Sequence, residues 1–214
     1  MGRTQLSPQR LSETKKTNIG HIIIFCEGKT EKFYFDYFAE IIKKNKYTKV
    51  EVVLETANGN AQTVLNYANS FMADEEHNHK YSTYGKYLAF DCDAPLNIQS
   101  VILAAKDYEL LISNYLFETW LLMHFEEVDT KLTKRQTYRR LSEYLNGAYL
   151  KGHKGKTREI IQNGEIEKAI DNAKILELQY TAEGKIVFTS IKDMNPYTNV
   201  HKLIEQFMVE ISGN

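Results

Sequence analysis

At 214 residues the chain is long enough for one domain with an extension or for two small domains, and its 43% of hydrophobic residues can form a buried core. The formal net charge of -1 argues against a general affinity for polyanions, so a nucleic-acid-binding surface has to be a local basic patch. Cys26 and Cys92 lack a CxxC spacing, which argues against a disulfide scaffold or a zinc knuckle. No apolar run approaches the roughly 20 residues of a membrane span and no apolar signal region follows Met1, so we expect a cytoplasmic protein without a membrane partner.

The first part of the chain alternates segments of strand type with segments of helix type. It follows a polar stretch, residues 1–18, which we interpret as a flexible basic arm, although an ordinary frayed terminus explains it equally well. Strands are predicted over residues 21–26, 49–56, 87–90 and 109–113. Helices are predicted over residues 31–44, 61–76, 97–107 and 114–125. This order predicts an α/β fold over residues 19–126, with a parallel sheet flanked by helices.

The pattern changes after Glu127, where a mainly helical C-terminal extension over residues 127–214 is expected to pack on the sheet domain. Helices are predicted over residues 133–145, 157–163, 165–180 and 200–211. One further strand is indicated over residues 185–189.

Acidic residues follow two of the predicted strands. Glu27 comes directly after the first strand, with Glu31 in the next helical turn, and Asp91 and Asp93 end the third strand. Parallel sheets collect functional sites at the carboxyl ends of their strands, so these carboxylates are expected to converge. Converging carboxylates repel unless a cation neutralises them, and oxygen ligands select Mg²⁺ or Mn²⁺. This predicts phosphoryl transfer or phosphodiester hydrolysis, while a plain turn explains Asp91 and Asp93 about as well.

Several motifs resemble those of the RloB-like family, and the resemblance extends over most of residues 19–212. They are the turn Glu27-Gly28-Lys29-Thr30-Glu31, the pair Asp91 and Asp93, the block from Ser113-Asn114 to Phe117-Glu118-Thr119-Trp120, and Asn195-Pro196-Tyr197. The resemblance implies a Toprim-like (Rossmann-like) fold and a metal-dependent nuclease that acts in phage defence. It also implies an ABC- or AAA-type ATPase partner encoded alongside. A homo-oligomer is compatible with the sequence, which does not fix the oligomeric state.

The resemblance also implies roles for individual acids. Glu27 is expected to act as general acid/base or metal ligand, and Asp91 and Asp93 as catalytic metal ligands. Glu31 is expected to hold metal as well. Glu118 is either a further metal ligand or a negative charge that the dipole of its helix favours.

Residues 131–158 contain nine Lys or Arg residues against one acid, Glu143. Such a local excess is typical of a surface that binds the phosphate backbone, although a solvated helix face or a site for an acidic protein also explains it. RNA, for example tRNA, is preferred over DNA as substrate by analogy with toxins that attack translation. The predicted nucleic-acid-binding residues are Lys29, Arg135, Arg139, Arg140, Lys151, His153, Lys154, Lys156 and Arg158.

Gly28-Lys29-Thr30 is not a Walker A site, because Ile23 occupies the position of its first glycine. His124 lies on an apolar helix and is interpreted as a core histidine or as a support for the site. The main alternative function is a non-catalytic subunit of an ATPase-containing defence complex that senses nucleic acid or nucleotide. A nucleotidyl transferase is a weaker third option, since no nucleotide-binding motif supports it.

Overall fold

The structure is a computed structural model that describes residues 19–44, 50–92 and 98–212. The predicted arm over residues 1–18, the acid Asp93 and the predicted start of a helix at Asn97 lie outside these ranges. In the described chain one sheet contains the strands β1 (His21–Cys26), β2 (Glu51–Thr56), β3 (Gly85–Asp91), β4 (Glu109–Asn114) and β5 (Tyr197–Thr198). No described helix combines the length and apolar character that crossing a membrane requires.

The sheet has the strand order β2-β1-β3-β4-β5. The first four strands are parallel and β5 pairs antiparallel with β4, which agrees with the predicted α/β class. The helices are α1 (Lys29–Lys44), α2 (Ala61–Ala73), α3 (Glu75–Tyr81), α4 (Ile98–Ala104), α5 (Phe117–Met123), α6 (Lys134–Glu143), α7 (Lys154–Asn163), α8 (Ile166–Ala182), α9 (Val187–Ser190) and α10 (His201–Ser212).

Both faces of β1 are buried, because alternate side chains of a strand point to opposite sides of the sheet. Ile22 and Ile24 pack in the core under α1, α5, α8 and α10, whereas Ile23 and Phe25 pack in the core under α2 and α4. The first core joins residues from both sides of residue 126, so helices of the C-terminal extension pack directly on the sheet. The continuous apolar sequence of β1 follows from this double coverage.

Two predicted elements differ from the structure. Residues 187–190 form the short helix α9 and not a strand, while the edge position beside β4 is taken by Tyr197 and Thr198. The helix predicted over residues 61–76 is divided at Asp74, whose side chain accepts hydrogen bonds from the backbone N–H groups of Glu76 and His77 and so caps a second helix.

Candidate active site

Four carboxylates lie at the carboxyl ends of three neighbouring parallel strands. Glu27 follows β1, Asp91 ends β3, and Glu118 lies in the first turn of α5 after β4. Glu31 reaches the same place from the first turn of α1. We call these four residues the acidic cluster. Their exposed fractions are 8% for Glu27, 1% for Glu31, 2% for Asp91 and 0% for Glu118, so the structure buries all four acids.

Glu27 is fixed against β3. Its Oε2 accepts a hydrogen bond of 3.0 Å from the backbone N–H of Asp91, and its own backbone N–H donates to the Ala89 carbonyl at 2.9 Å. The turn that follows leaves little space, because a Cβ on Gly28 would lie 3.2 Å from Oε2 of Glu31. A glycine at this position therefore allows Glu27 and Glu31 to approach the same site.

Asp91 is held by the start of α5. Its Oδ1 accepts a hydrogen bond of 2.7 Å from the backbone N–H of Phe117. Its Oδ2 is buried and accepts no hydrogen bond from the described residues, although the ammonium group of Lys151 lies 3.6 Å from it. Burial raises the pKa of Asp91 well above its usual range, and the charges of Glu31, Glu118 and Glu27 raise it further.

Glu31 and Glu118 each keep a buried oxygen without a hydrogen-bond partner in the described chain, in both cases Oε2. The other oxygen of Glu118, Oε1, accepts a hydrogen bond of 2.8 Å from the Tyr149 hydroxyl. Burial raises the pKa of Glu31 from 4.5 to about 7; the charge of Glu118 adds to the rise, and backbone hydrogen bonds partly offset it. Buried polar atoms are rarely left unpaired in proteins, so these oxygens are suited to a ligand.

The ammonium group of Lys151 faces the acidic cluster, with Nζ 3.6 Å from Oδ2 of Asp91. Burial lowers the pKa of Lys151, but the charges of Glu118, Asp91 and Glu31 outweigh it and raise the pKa above its usual range. The loop that carries Lys151 is attached to α1, because the backbone N–H of Gly152 donates to Oγ1 of Thr30 at 2.9 Å. Lys151 was predicted from the sequence as a phosphate-backbone contact, and the structure places it beside the acids.

The donor set of the acidic cluster fits Mg²⁺ or Mn²⁺ in its chemistry. Carboxylate oxygens are the ligands these ions prefer, and three buried ones of the cluster accept no hydrogen bond from the part of the chain that the structure describes. In the described residues no three His, Cys, Asp or Glu side chains form a ready-made metal cage. Mg²⁺ commonly completes its coordination with water and substrate phosphate, so a partial protein shell is compatible with it. Glu31, Asp91 and Glu118 are the residues that would hold the ion.

Several predicted nucleic-acid-binding cations of α7 are neutralised by acids of α1 or of α7 itself. Lys154 forms ion pairs with Asp36 at 2.8 Å and Glu40 at 3.3 Å, and Arg158 pairs with Glu40. Lys156 pairs with Glu159 at 2.9 Å. These acids lie in α1 and α7, so α7 presents much less positive charge than its sequence suggests.

The remaining predicted basic residues are distributed around α6 and the loop before α7. Arg140 pairs with Glu126 at 2.6 Å, and the exposed Arg139 lies 3.8 Å from Glu143. Arg135 and Lys29 are exposed and form no ion pair within the described chain. His153 caps α7, since its Nδ1 accepts a hydrogen bond of 3.2 Å from the backbone N–H of Lys156.

His124 is a buried core residue between α1 and α5. The Trp120 carbonyl, which can only accept, lies 3.1 Å from Nδ1, so Nδ1 carries the proton and Nε2 accepts from the Tyr34 hydroxyl at 3.0 Å. Burial lowers the pKa of His124 to about 4, which keeps the ring neutral. The core interpretation of His124 agrees with these contacts.

Sequence reasoning missed the contact of Tyr149 with the acidic cluster, and it assigned Lys151 to the phosphate backbone rather than to the acids. Tyr149 binds Glu118, and Lys151 faces Asp91. Both lie in a loop that is far in sequence from the acids, and the only local signal was the glycine of Lys151-Gly152.

Comparison with known proteins identifies one family. A family model described as RloB-like protein matches residues 22–207, which is most of the chain. No curated protein and no solved structure matches the chain.

Proposed function

The chain belongs to the RloB-like family, and we propose that it is a metal-dependent nuclease with a Toprim-like fold that acts in anti-phage defence. The observation that carries this proposal is the acidic cluster, in which three of the four buried carboxylates keep an oxygen that accepts no hydrogen bond within the described chain. Burying mutually repelling carboxylates opposes folding, and a hydrophobic core of the same volume has no such cost. A bound divalent cation would neutralise the four carboxylates and so explain why they are buried together.

Each acid has a role that its surroundings favour. Glu31, Asp91 and Glu118 would hold the cation with the oxygens that accept no hydrogen bond in the described chain. Glu27 is the most exposed of the four acids, at 8%, and so the best placed to meet a water molecule. The chemistry that a bound cation supplies is neutralisation of the phosphate and of the charge that develops on it. The carboxylate of Glu27 accepts the proton of the attacking water as its oxygen bonds to phosphorus. The bond to the leaving oxygen then breaks, and that oxygen takes a proton from solvent.

The wider biological setting is proposed by family resemblance. We propose RNA, with tRNA as the preferred class, over DNA as the substrate, and an ABC- or AAA-type ATPase as the partner protein. The cations Lys134 and Arg135 at the start of α6 support a polyanionic ligand.

A cleavage assay tests the proposed activity. Wild type, Glu27→Gln and Asp91→Asn are compared on labelled RNA and DNA with Mg²⁺ or Mn²⁺, alone and with an ATPase encoded beside the gene. Asp171→Asn in α8, which is exposed and distant in sequence from the cluster, is the matched control. Cleavage that is lost in the two cluster variants and kept in the control is the expected result. Equal cleavage by all four proteins refutes the role of the acidic cluster.

A second candidate function is a non-catalytic sensing subunit of an ATPase-containing complex. The observation that favours it is Lys151, whose ammonium group already lies 3.6 Å from Asp91 and partly neutralises the acids. Under this candidate Lys151 is a permanent structural partner of the cluster. The protein then binds nucleic acid or nucleotide but does not cleave it, whichever metal ion is present.

A further inference from the structure

A cavity of about 570 Å³ opens at the carboxyl ends of β3 and β4, two of the strands that also carry the acidic cluster. Its described walls come from Cys92 and Ile98, the end of β4, the segment that leads into α6, and the 3₁₀ turn Ile191–Asp193 before β5. Cys92, which lines it, directly follows Asp91 of the cluster. We call this feature the basic cavity.

Among the described residues that line the basic cavity, the charged side chains are all cations: Lys131, Lys134, Arg135 and Lys192. In the described chain Lys131, Arg135 and Lys192 form no ion pair, and the ammonium group of Lys134 lies 5.7 Å from the ring centre of Tyr138. This differs from α7, where acids of α1 and α7 neutralise the cations. Unpaired cations around a concave surface are the arrangement that attracts an anion.

The position of two of these cations at the start of a helix also favours an anionic ligand. Lys134 and Arg135 are the first residues of α6, and no acid occupies its first turn. The helix dipole makes positive charge unfavourable at an N-terminus and favours an anion there. Stability alone therefore does not explain the placement of Lys134 and Arg135, whereas an anionic ligand does.

The same cavity also has an apolar and aromatic wall, to which Tyr115, Ile98 and Leu132 contribute. The side-chain amide of Asn114 donates to the carbonyls of Ile191 at 2.6 Å and Met194 at 2.7 Å, and so fixes the turn that carries Lys192 to the end of β4. The volume is in the range of small-ligand pockets. Aromatic side chains beside cations are a recurring arrangement for nucleotides, because the ring stacks on a base while the cations hold phosphate.

We propose that the basic cavity binds a nucleoside phosphate, with the phosphate against Lys131, Arg135 and Lys192 and the base against Tyr115. The nucleotide is either free or one residue of a single-stranded nucleic acid. Binding of a free nucleotide does not depend on the proposed nuclease function. Binding of a nucleic-acid strand rests on that function, and in that case the cavity holds the nucleotide next to the scissile bond.

Binding to the full-length chain is measured by calorimetry with EDTA present, so that cleavage and metal binding do not contribute. The probes are inorganic phosphate, AMP, UMP, ATP and a short oligouridylate. The variants are Lys131→Gln combined with Lys192→Gln, and Tyr115→Leu, with Lys154→Gln as control because Lys154 is paired in α7. Thermal unfolding checks that each variant is folded, which the exposure of the lysines favours.

We expect the double lysine variant to weaken nucleotide binding at least about tenfold, and Tyr115→Leu to weaken nucleotide but not phosphate binding. Binding of mononucleotides supports a free nucleotide, and binding of the oligonucleotide alone supports a nucleic-acid strand. No binding by any probe, or binding that the folded variants leave unchanged, overturns the proposal. If nucleotide binding persists in Asp91→Asn and the separate cleavage assay with Mg²⁺ or Mn²⁺ shows no cleavage by wild type, the nuclease function is refuted and the basic cavity stays in place.

Discussion

The substitution Glu31→Gln is expected to remove much of the pH dependence of stability in the metal-free protein. The pKa of Glu31 rises from 4.5 to about 7 on folding, because burial disfavours the charged carboxylate. Its stability contribution is therefore fully present below pH 4.5 and is lost as the pH rises through 7. Each unit of pKa shift corresponds to about 1.4 kcal/mol, so the wild type loses on the order of 3 kcal/mol over this interval.

Several charged groups face Glu31 and act on the same measurement. Asp91 and Glu118 disfavour its ionised form, while Lys151 favours it. Asp91 also has a raised pKa, so its contribution is lost with rising pH in the same direction. The pKa of His124 is lowered to about 4, so its contribution to stability is lost as the pH falls. This contribution is the same in variant and wild type and cancels when the two are compared at one pH.

The assay is urea unfolding of both proteins with EDTA at several values between about pH 5 and pH 8. Glutamine does not ionise, so the free energy of unfolding of Glu31→Gln is expected to rise by up to about 3 kcal/mol relative to that of wild type as the pH rises. A buried amide adds an offset that does not depend on pH. Glu167→Gln in α8, an exposed acid, is the matched control and is expected to follow wild type. Parallel pH profiles of Glu31→Gln and wild type refute the burial of an ionisable Glu31.

Three further predictions concern the surroundings of the cluster. Lys151→Gln removes an ammonium group that competes with a metal ion for Asp91, so calorimetry is expected to show at least about tenfold tighter Mn²⁺ binding. The control Lys154→Gln is expected to have no effect on Mn²⁺ affinity. Weaker Mn²⁺ binding by Lys151→Gln contradicts this competition. Gly28→Ala places a Cβ 3.2 Å from Oε2 of Glu31 and is expected to weaken Mn²⁺ binding while the chain stays folded; unchanged affinity shows that Glu31 moves freely. Tyr34→Phe leaves Nε2 of His124 buried without a hydrogen-bond donor, so the free energy of unfolding in urea is expected to fall by about 1–3 kcal/mol. An unchanged free energy of unfolding contradicts this prediction.

The sequence was sufficient to predict the strands that carry the acids. Ile22–Cys26 is apolar on both faces because helices cover both sides of the sheet, and an acid directly after such a strand lies at its carboxyl end. The juxtaposition of Glu27 and Asp91 then follows from parallel pairing of β1 with β3. Asp93 lies outside the described residues, so its role stays a prediction.

The charge balance around the cluster was not predictable from local sequence. Lys154 and Arg158 look like a basic patch in the sequence, but their partners Asp36 and Glu40 lie in α1, more than a hundred residues earlier. Lys151 likewise reaches Asp91 only because Gly152 binds Thr30 of α1. The strand β5 escaped prediction because two residues, Tyr197 and Thr198, are too short for an alternating pattern.

The most direct test of the central claim is calorimetric titration of Mn²⁺ into the full-length chain, because the titration requires neither a partner protein nor an identified substrate. Wild type and the Asp171→Asn control are expected to show saturable binding, and Asp91→Asn, which loses one of the unpaired buried oxygens, is expected to lose it. Absence of saturable Mn²⁺ binding in wild type, or equal binding in Asp91→Asn, contradicts a metal site at the acidic cluster.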